Sequence, residues 1–591
     1  MKKIEKKKYD VQNSAISTIL GWIENDEIGL PELQRPFVWN TVKVRDLIDS
    51  LYHGYPIGYI ITWDNPKVRL KDGSIGRGKK IIIDGQQRIT ALRAALMGDS
   101  VVTKKFEKKR IKIAFKPETG EFQTLTSPIE KDKRWISDIS VLFGEVNLFE
   151  FVSQFAKDND YDAMKISQPI QRLRDLANND VGNIMLSSDL DISAVTEIFN
   201  RINSKGTELS SADFIMSKLA ADTEHGGNDL RKTVEYFATL LEDPTILQNL
   251  MVNDTEFSTT DYYAKIKWAA KERTNLYNPR FGDIFHAILG FEFGRGRHAD
   301  LISLISGRDF NKKTYTEEAM QAAYAKLSEG VLAVVNQSNF ERYLMILKSL
   351  GMLTRDTLVL NGLGVLNFGY SLYLLLKRQD QSSMTNSQIE MIVKKWIIMS
   401  ALTHRYGGSS ESQSWQDITR FIKEDPLTVL KDVLRQNLSE DFWTVTLPQQ
   451  LMTSSTQSNA WRVFEMTQVK NGDLAWLEKD HTVESVLNQQ GNVHHIFPRA
   501  YLKREGLTQK QYNQVANYTQ ITQPRNLQIS DQIPRDYLAD SQITEFATSD
   551  NFRENAIPEE VCQFDASNYD KFLQMRRQLM AQKIRHYFES L

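Results

Sequence analysis

A single cysteine, Cys562, stands in 591 residues. That excludes an intramolecular disulfide and a cysteine-based zinc cluster, and it fits a reducing, cytoplasmic setting. Charge of one sign is not in excess either. Lys and Arg number 73 against 75 Asp and Glu, a formal net charge of -2. With no basic footprint over the whole chain, any contact with nucleic acid must be local. The basic opening MKKIEKKKYD has no apolar segment behind it and does not read as a secretory signal. Long apolar runs are nearly absent. The exception is residues 357–376, TLVLNGLGVLNFGYSLYLLL, which are uncharged and long enough to cross a bilayer. This run contains Asn361, Asn367 and three glycines and has no second span beside it. A helix buried in a helical core is expected there, and no membrane partner. No fixed repeat period is visible, so a solenoid is not expected.

What is present is ordinary for a globular chain: 41% hydrophobic and 25% charged residues. The length suggests several domains, or one large domain with additions. The stretch around which the rest is organised is residues 80–96, KIIIDGQQRITALRAAL. Ile81, Ile82 and Ile83 predict a buried strand. Asp84-Gly85 is a turn signal, and Ile89, Leu92, Ala95 and Leu96 recur at helical spacing. A strand that turns through glycine into a helix N-terminus suits an anion, because backbone N–H groups and the positive end of the dipole point outward there. Arg88 can add a bidentate cation, and Gln86 and Gln87 add donors. The alternative is an ordinary strand–helix corner with polar residues facing solvent.

Around this stretch the sequence reads as mixed α/β. Residues 9–28 predict an amphipathic helix, 42–52 a second helix and 59–63 a strand, with 71–78 a glycine-rich loop. Residues 111–115 and 121–124 predict a hairpin turning at Thr119-Gly120. The densest basic run, 104–112, KKFEKKRIK, reads as a solvated face, with a DNA-facing patch as the alternative. SSAD at 210–213 has the form of a capping box with Asp in place of Glu. From about 229 to 437 helix follows helix. Two loops there stand out: GRGR at 294–297, and RYGGSSESQSW at 405–415, which is either a hinge or a substrate loop.

DGQQR followed by a helix resembles the signature of the N-terminal domain of the GmrSD-type modification-dependent (type IV) restriction enzymes, a domain related to the ParB/sulfiredoxin fold. Two more segments carry the resemblance. One is LQRPFVW at 33–39, followed by LIDSLYHGYPIG at 47–58. The other is FNRINSKGTELSSAD at 199–213. The resemblance implies a nucleoside-triphosphate pocket for ATP or GTP with Mg²⁺. It would be built from Gln34, Arg35, Asp84, Gly85, Gln86, Gln87 and Arg88, joined by Arg201 and Asn203. Asp84 would position metal or water, and Arg35 and Arg88 would hold phosphates.

The second chemical constellation is GNVHHIFPRAY at 491–501, followed by NYTQIT at 517–522 and PRNLQIS at 524–530. Two adjacent histidines lie on an extended apolar segment, so their side chains point to opposite faces and need not share a role. Phosphodiester hydrolysis needs a base that works near neutral pH and a cation on the phosphate. The order of these segments resembles the HNH or His-Me finger nucleases, and more narrowly the nuclease domain of the GmrSD family. That resemblance implies His495 as general base, Asn517 as the residue that holds the loop and orients the base, and His494 and Asn526 as metal ligands. A ligand set of His and Asn suits Mg²⁺ or Mn²⁺ more than a closed zinc site. His494 stands where an acidic residue is frequent in the family, which leaves metal preference open. Arg499 and Arg525 are candidates for phosphate contacts, and His481 is expected at the surface. Residues 569–588 predict a long amphipathic helix that packs back on the chain or serves a homodimer.

The expectation is therefore an α+β multidomain protein. It has a nucleotide-binding DGQQR domain at 1–225, a helical spacer at 226–440 and a ββα-metal nuclease domain at 441–591. Its expected function is nucleotide-gated cleavage of double-stranded, modified phage DNA in the cytoplasm. The alternatives are a nucleotide-controlled sensor of modified DNA with a dormant nuclease, and a plain HNH nickase.

Overall fold

The computed structural model describes residues 7–25, 27–29, 39–64, 80–103, 106–190, 194–195, 198, 210–222, 224–271, 276–353, 363–378, 384–408, 410–489 and 493–591. The chain is mixed α+β and divides into two compact units. One comprises Met1–Ala270 with His298–Ala325, the other Lys271–Arg297 with Lys326–Leu591. Gln34, Arg35, Arg201, Asn203 and the loop at 71–78 lie outside the described residues.

The first unit is built on a five-stranded sheet with spatial order Tyr9–Ala15, Asp180–Leu186, Ile60–Asp64, Lys80–Asp84, Ile28–Gly29. Ile60–Asp64 runs parallel to Asp180–Leu186 and antiparallel to Lys80–Asp84. Ile82 and Ile83 are buried, as expected for a central strand. The helix Thr41–Tyr52 buries Val44, Leu47, Ile48 and Leu51 in the same core as Ile16, Ile82 and Ile89. The expected hairpin forms as Ile113–Lys116 paired with Glu121–Thr124, with Gly120 at φ +71° in its turn.

One expected helix is shorter than its pattern. Residues 9–15 form an edge strand against Asp180–Leu186, and the helix begins only at Ile16. Ile16, Ile19 and Leu20 supply its buried face, whereas Tyr9 and Val11 are exposed. Pairing with a distant strand, which local periodicity cannot register, decided the conformation of 9–15. The basic run splits by function. Lys108 and Lys109 are exposed on a two-stranded ribbon, while Arg110 is bound to Asp138 at 3.0 Å and to Ser140 at 2.8 Å. The capping box at Ser210–Asp213 is formed.

The second unit is largely helical. The apolar run is represented by the helix Gly364–Arg378, whose residues 366–376 are all buried; 357–362 lie outside the described residues. Its polar groups are satisfied within the protein. Asn367 donates to Asp283 and accepts from Tyr277, and Ser371 donates to the Ala287 carbonyl. Gly369 is required where it stands, because a Cβ would come within 2.7 Å of the Tyr343 hydroxyl and 2.9 Å of Ile397. No helix among the described residues is long and apolar enough to cross a membrane. The stretch 405–415 is anchored. Arg405 forks onto Asp417 at 2.7 and 2.6 Å, Tyr406 donates to the same carboxylate, and a helix runs from Ser410 to Lys423. Near it, Gly294 ends the helix Phe281–Phe293 in the left-handed region, and Arg297 lies over the Trp415 ring. His481 is exposed, as expected.

Candidate functional site

In the first unit the strand Lys80–Asp84 runs into Gly85, which caps the helix Gln86–Leu92 at φ +100°. Only glycine adopts that backbone without strain, and a Cβ would also press on Ile60 at 3.1–3.3 Å. The strand pairing shifts register here. Ile61 faces Asp84 and Thr62 faces Ile82, so the ladder carries one extra residue just before the turn. Such an irregularity re-aims the side chain at a strand's end. Asp84 is paired to Arg88 at 3.0 Å one helical turn on, and the other arm of the Arg88 guanidinium donates to the Tyr59 carbonyl. Gly58, at φ +88°, passes so close that a Cβ would sit 3.2 Å from that guanidinium. The fold thus brings the second family-like segment, HGYPIG, against the DGQQR corner. Asp84, Gly85 and Arg88 converge with Gly58 and Tyr59, while Gln86 and Gln87 open the helix.

In the second unit Val493–His495 pairs antiparallel with Tyr518–Gln520, placing His494 opposite Thr519 and His495 opposite Tyr518. A helix, Gln523–Ile529, follows the second strand, with Pro524 in its first turn. Alternation along the strand separates the histidines. His494 is buried, with 8% of its surface exposed, and its Nε2 is a buried atom without a hydrogen-bond partner among the described residues. Burial, and then repulsion from His495, push its pKa down to about 4, although a hydrogen bond to the Asn526 side chain acts the other way. His495 is half-buried. Its Nε2 lies 3.0 Å from Asn513 Oδ1, and its ring meets the Tyr518 ring edge-on with centroids 4.9 Å apart. Burial lowers its pKa too, opposed by the Asn513 bond and reinforced by the Arg499 charge. Both imidazoles are therefore neutral near pH 7.

Asn517 is fully buried. Its side chain accepts from the Phe497 amide at 2.9 Å and donates to the carbonyls of Phe497 at 3.1 Å and Tyr512 at 3.3 Å, while its own carbonyl accepts from Ile496. It ties the loop after the histidines to the loop before the second strand. Asn526 projects from the helix to the His494 side. A neutral buried imidazole with an orphaned nitrogen, next to a side-chain amide, is a donor set that fits a divalent cation able to take its remaining ligands from water or phosphate. Of the two arginines, Arg499 is exposed at the start of the helix Arg499–Arg504. Arg525 is stacked 3.9 Å over the Phe546 ring and bonded to Gln528, which withdraws it from solvent.

Two residues at this site carry no motif. Asn513, which orients His495, lies just past a short helix at Gln509–Tyr512. Arg576 comes from the C-terminal helix Tyr569–Ser590. Only the three-dimensional pairing of segments reveals either.

Residues 16–220 match the family model described as "GmrSD restriction endonuclease, N-terminal domain". These residues are thus similar to the N-terminal domain of GmrSD-type restriction endonucleases. Over 566 residues it is also 21% identical to the uncharacterized protein MJ0686 of Methanocaldococcus jannaschii, covering 87% of this chain and 84% of that protein. The second similarity therefore extends beyond the matched domain into the helical and C-terminal regions.

Proposed function

We propose that this protein is a single-chain, modification-dependent DNA endonuclease. Its N-terminal domain binds and hydrolyses a nucleoside triphosphate with Mg²⁺, and its C-terminal hairpin and helix cut DNA with Mg²⁺ or Mn²⁺. The observation that carries the nuclease reading is the division of labour between adjacent histidines. His494 presents a buried, unpartnered nitrogen beside Asn526, and His495 faces the other way with its ring oriented by Asn513.

The roles follow from that geometry. Asn513 holds Nε2 of His495, which leaves Nδ1 to accept a proton from an attacking water. Asn517 fixes the Phe497 amide and carbonyl, and with them the position of His495. Arg499, exposed and close enough to act on His495, meets the phosphate backbone. The cation that His494 and Asn526 would hold supplies charge stabilisation at the phosphate.

In the N-terminal domain Arg88 grips phosphate oxygens, with Asp84 orienting its guanidinium. The nucleotide state gates the nuclease, protecting the cell from cutting its own unmodified DNA. A cleavage assay with Mn²⁺ on glucosylated, hydroxymethylated, phosphorothioate and unmodified DNA tests this reading, with ATP or GTP added or withheld. Cutting of one modified substrate only in the presence of nucleotide is expected. Triphosphate hydrolysis without cleavage of any DNA would instead favour a nucleotide-controlled sensor.

A further inference from the structure

Arg576 is fully buried, yet among the described residues none of its hydrogen bonds goes to a carboxylate. Its guanidinium donates to the carbonyls of Ala516 at 3.0 Å, Tyr518 at 2.6 Å and Asn555 at 3.2 Å. Burial pushes its pKa down to about 9, so it remains a cation at neutral pH. A cation taken out of water without an anionic partner is costly. Backbone carbonyls could be satisfied more cheaply by neutral donors, so the arrangement calls for a reason beyond packing.

The first two carbonyls flank Asn517, the residue that holds the Phe497 amide. Tyr518, in turn, is paired in register with His495 and packs against its ring. One guanidinium therefore fixes both ends of the peptide segment on which the His495 loop hangs. We infer that Arg576, delivered by the C-terminal helix, is a positioning residue for the DNA-cleaving site: it locks the Ala516–Tyr518 backbone so that Asn517 and Tyr518 hold His495 in its working orientation. This rests on the nuclease reading above. It makes the helix Tyr569–Ser590 part of the nuclease rather than an appendage.

The test uses the full chain carrying Arg576→Met, which keeps the volume and removes the donors, and Arg576→Lys, which keeps the charge but not the fork. Wild type and His495→Ala run in parallel. Steady-state cleavage of plasmid DNA containing glucosylated hydroxymethylcytosine, and of unmodified plasmid, is measured with Mn²⁺ and ATP. Amide exchange is followed at Phe497, with Ile397 as a distant control.

Arg576→Met is expected to lower kcat about 100-fold with KM for DNA within about twofold, the pattern of a misplaced catalytic group. Phe497 exchange should accelerate at least about tenfold, Ile397 exchange should not change, and Arg576→Lys should fall between. A folded Arg576→Met with wild-type kcat, or with unchanged Phe497 exchange, would overturn the inference. If Arg576→Met does not fold, the same two readouts on Arg576→Lys decide. If wild type cuts neither DNA, Phe497 exchange alone decides whether Arg576 positions the loop.

Discussion

At the DGQQR corner of the N-terminal unit the charges answer one another: Arg88 spans Asp84 and the Tyr59 carbonyl, with Gly58 leaving room for it. At the C-terminal hairpin the polar groups are arranged differently. Asn517 is hydrogen-bonded through both ends of its amide, while His494 keeps a nitrogen with no partner among the described residues. A phosphate bound at the first site would have to compete with an existing ion pair and so rearrange its side chains. A cation at the second would meet a donor already in place. The first arrangement suits a site that changes state, the second a site held ready for chemistry.

The sharpest way to break this comparison is His495→Ala. It should lower DNA cleavage by about 10³-fold, within the range for loss of a general base, and leave triphosphate hydrolysis unchanged. Residual cleavage near wild type in a gel assay would remove His495 from the chemistry. Arg88→Ala should reduce triphosphate hydrolysis about 100-fold, measured as phosphate release, and reduce nucleotide-stimulated cleavage with it. Intact cleavage in that variant would uncouple the two sites and favour a plain nickase.

Gly85→Ala places a side chain at φ +100° against Ile60. It should destabilise the N-terminal unit by about 1–3 kcal/mol, seen by chemical denaturation, and weaken nucleotide binding without touching the hairpin. The smallest effect expected is on pH dependence in the second unit. Glu465 is buried against Gln520 and Arg462, and burial raises its pKa to about 7. A carboxyl raised above its unfolded value stabilises while protonated, and that contribution is lost as pH rises through about 7. Glu465→Gln should therefore raise Tm by about 2–4 °C at pH 8 and by little at pH 5, a difference calorimetry resolves. His494 works in the opposite sense: with its pKa lowered to about 4, its contribution is lost as pH falls from the ordinary histidine range toward 4.

Much of this architecture was readable locally. The isoleucine run and the Asp84-Gly85 turn predict the strand–turn–helix, because each residue's own backbone preference agrees with the fold. The alternation of His494 and His495 follows from strand geometry, and the buried run at 366–376 from its uncharged, helical pattern. Residues 9–15 carry a helical pattern yet form a strand, because their structure is set by a strand some 170 residues away, which leaves no local trace. Asn513 and Arg576 were missed for the same physical reason. Their importance lies in the atoms they meet across the fold, and an Asn after a short helix or an Arg in an amphipathic one looks like any other. Arg525 shows the converse. Its place beside the motif suggested a phosphate contact, but stacking on Phe546 gives it a structural partner instead.

The most direct test of the central claim is cleavage of glucosylated, hydroxymethylated, phosphorothioate and unmodified DNA by the full chain. It would run with Mg²⁺ or Mn²⁺, with and without ATP or GTP, beside His495→Ala and Arg88→Ala. The account predicts nucleotide-dependent cutting of one modified substrate, lost in both variants. Cutting that ignores nucleotide and persists in Arg88→Ala, or survives in His495→Ala, would contradict it.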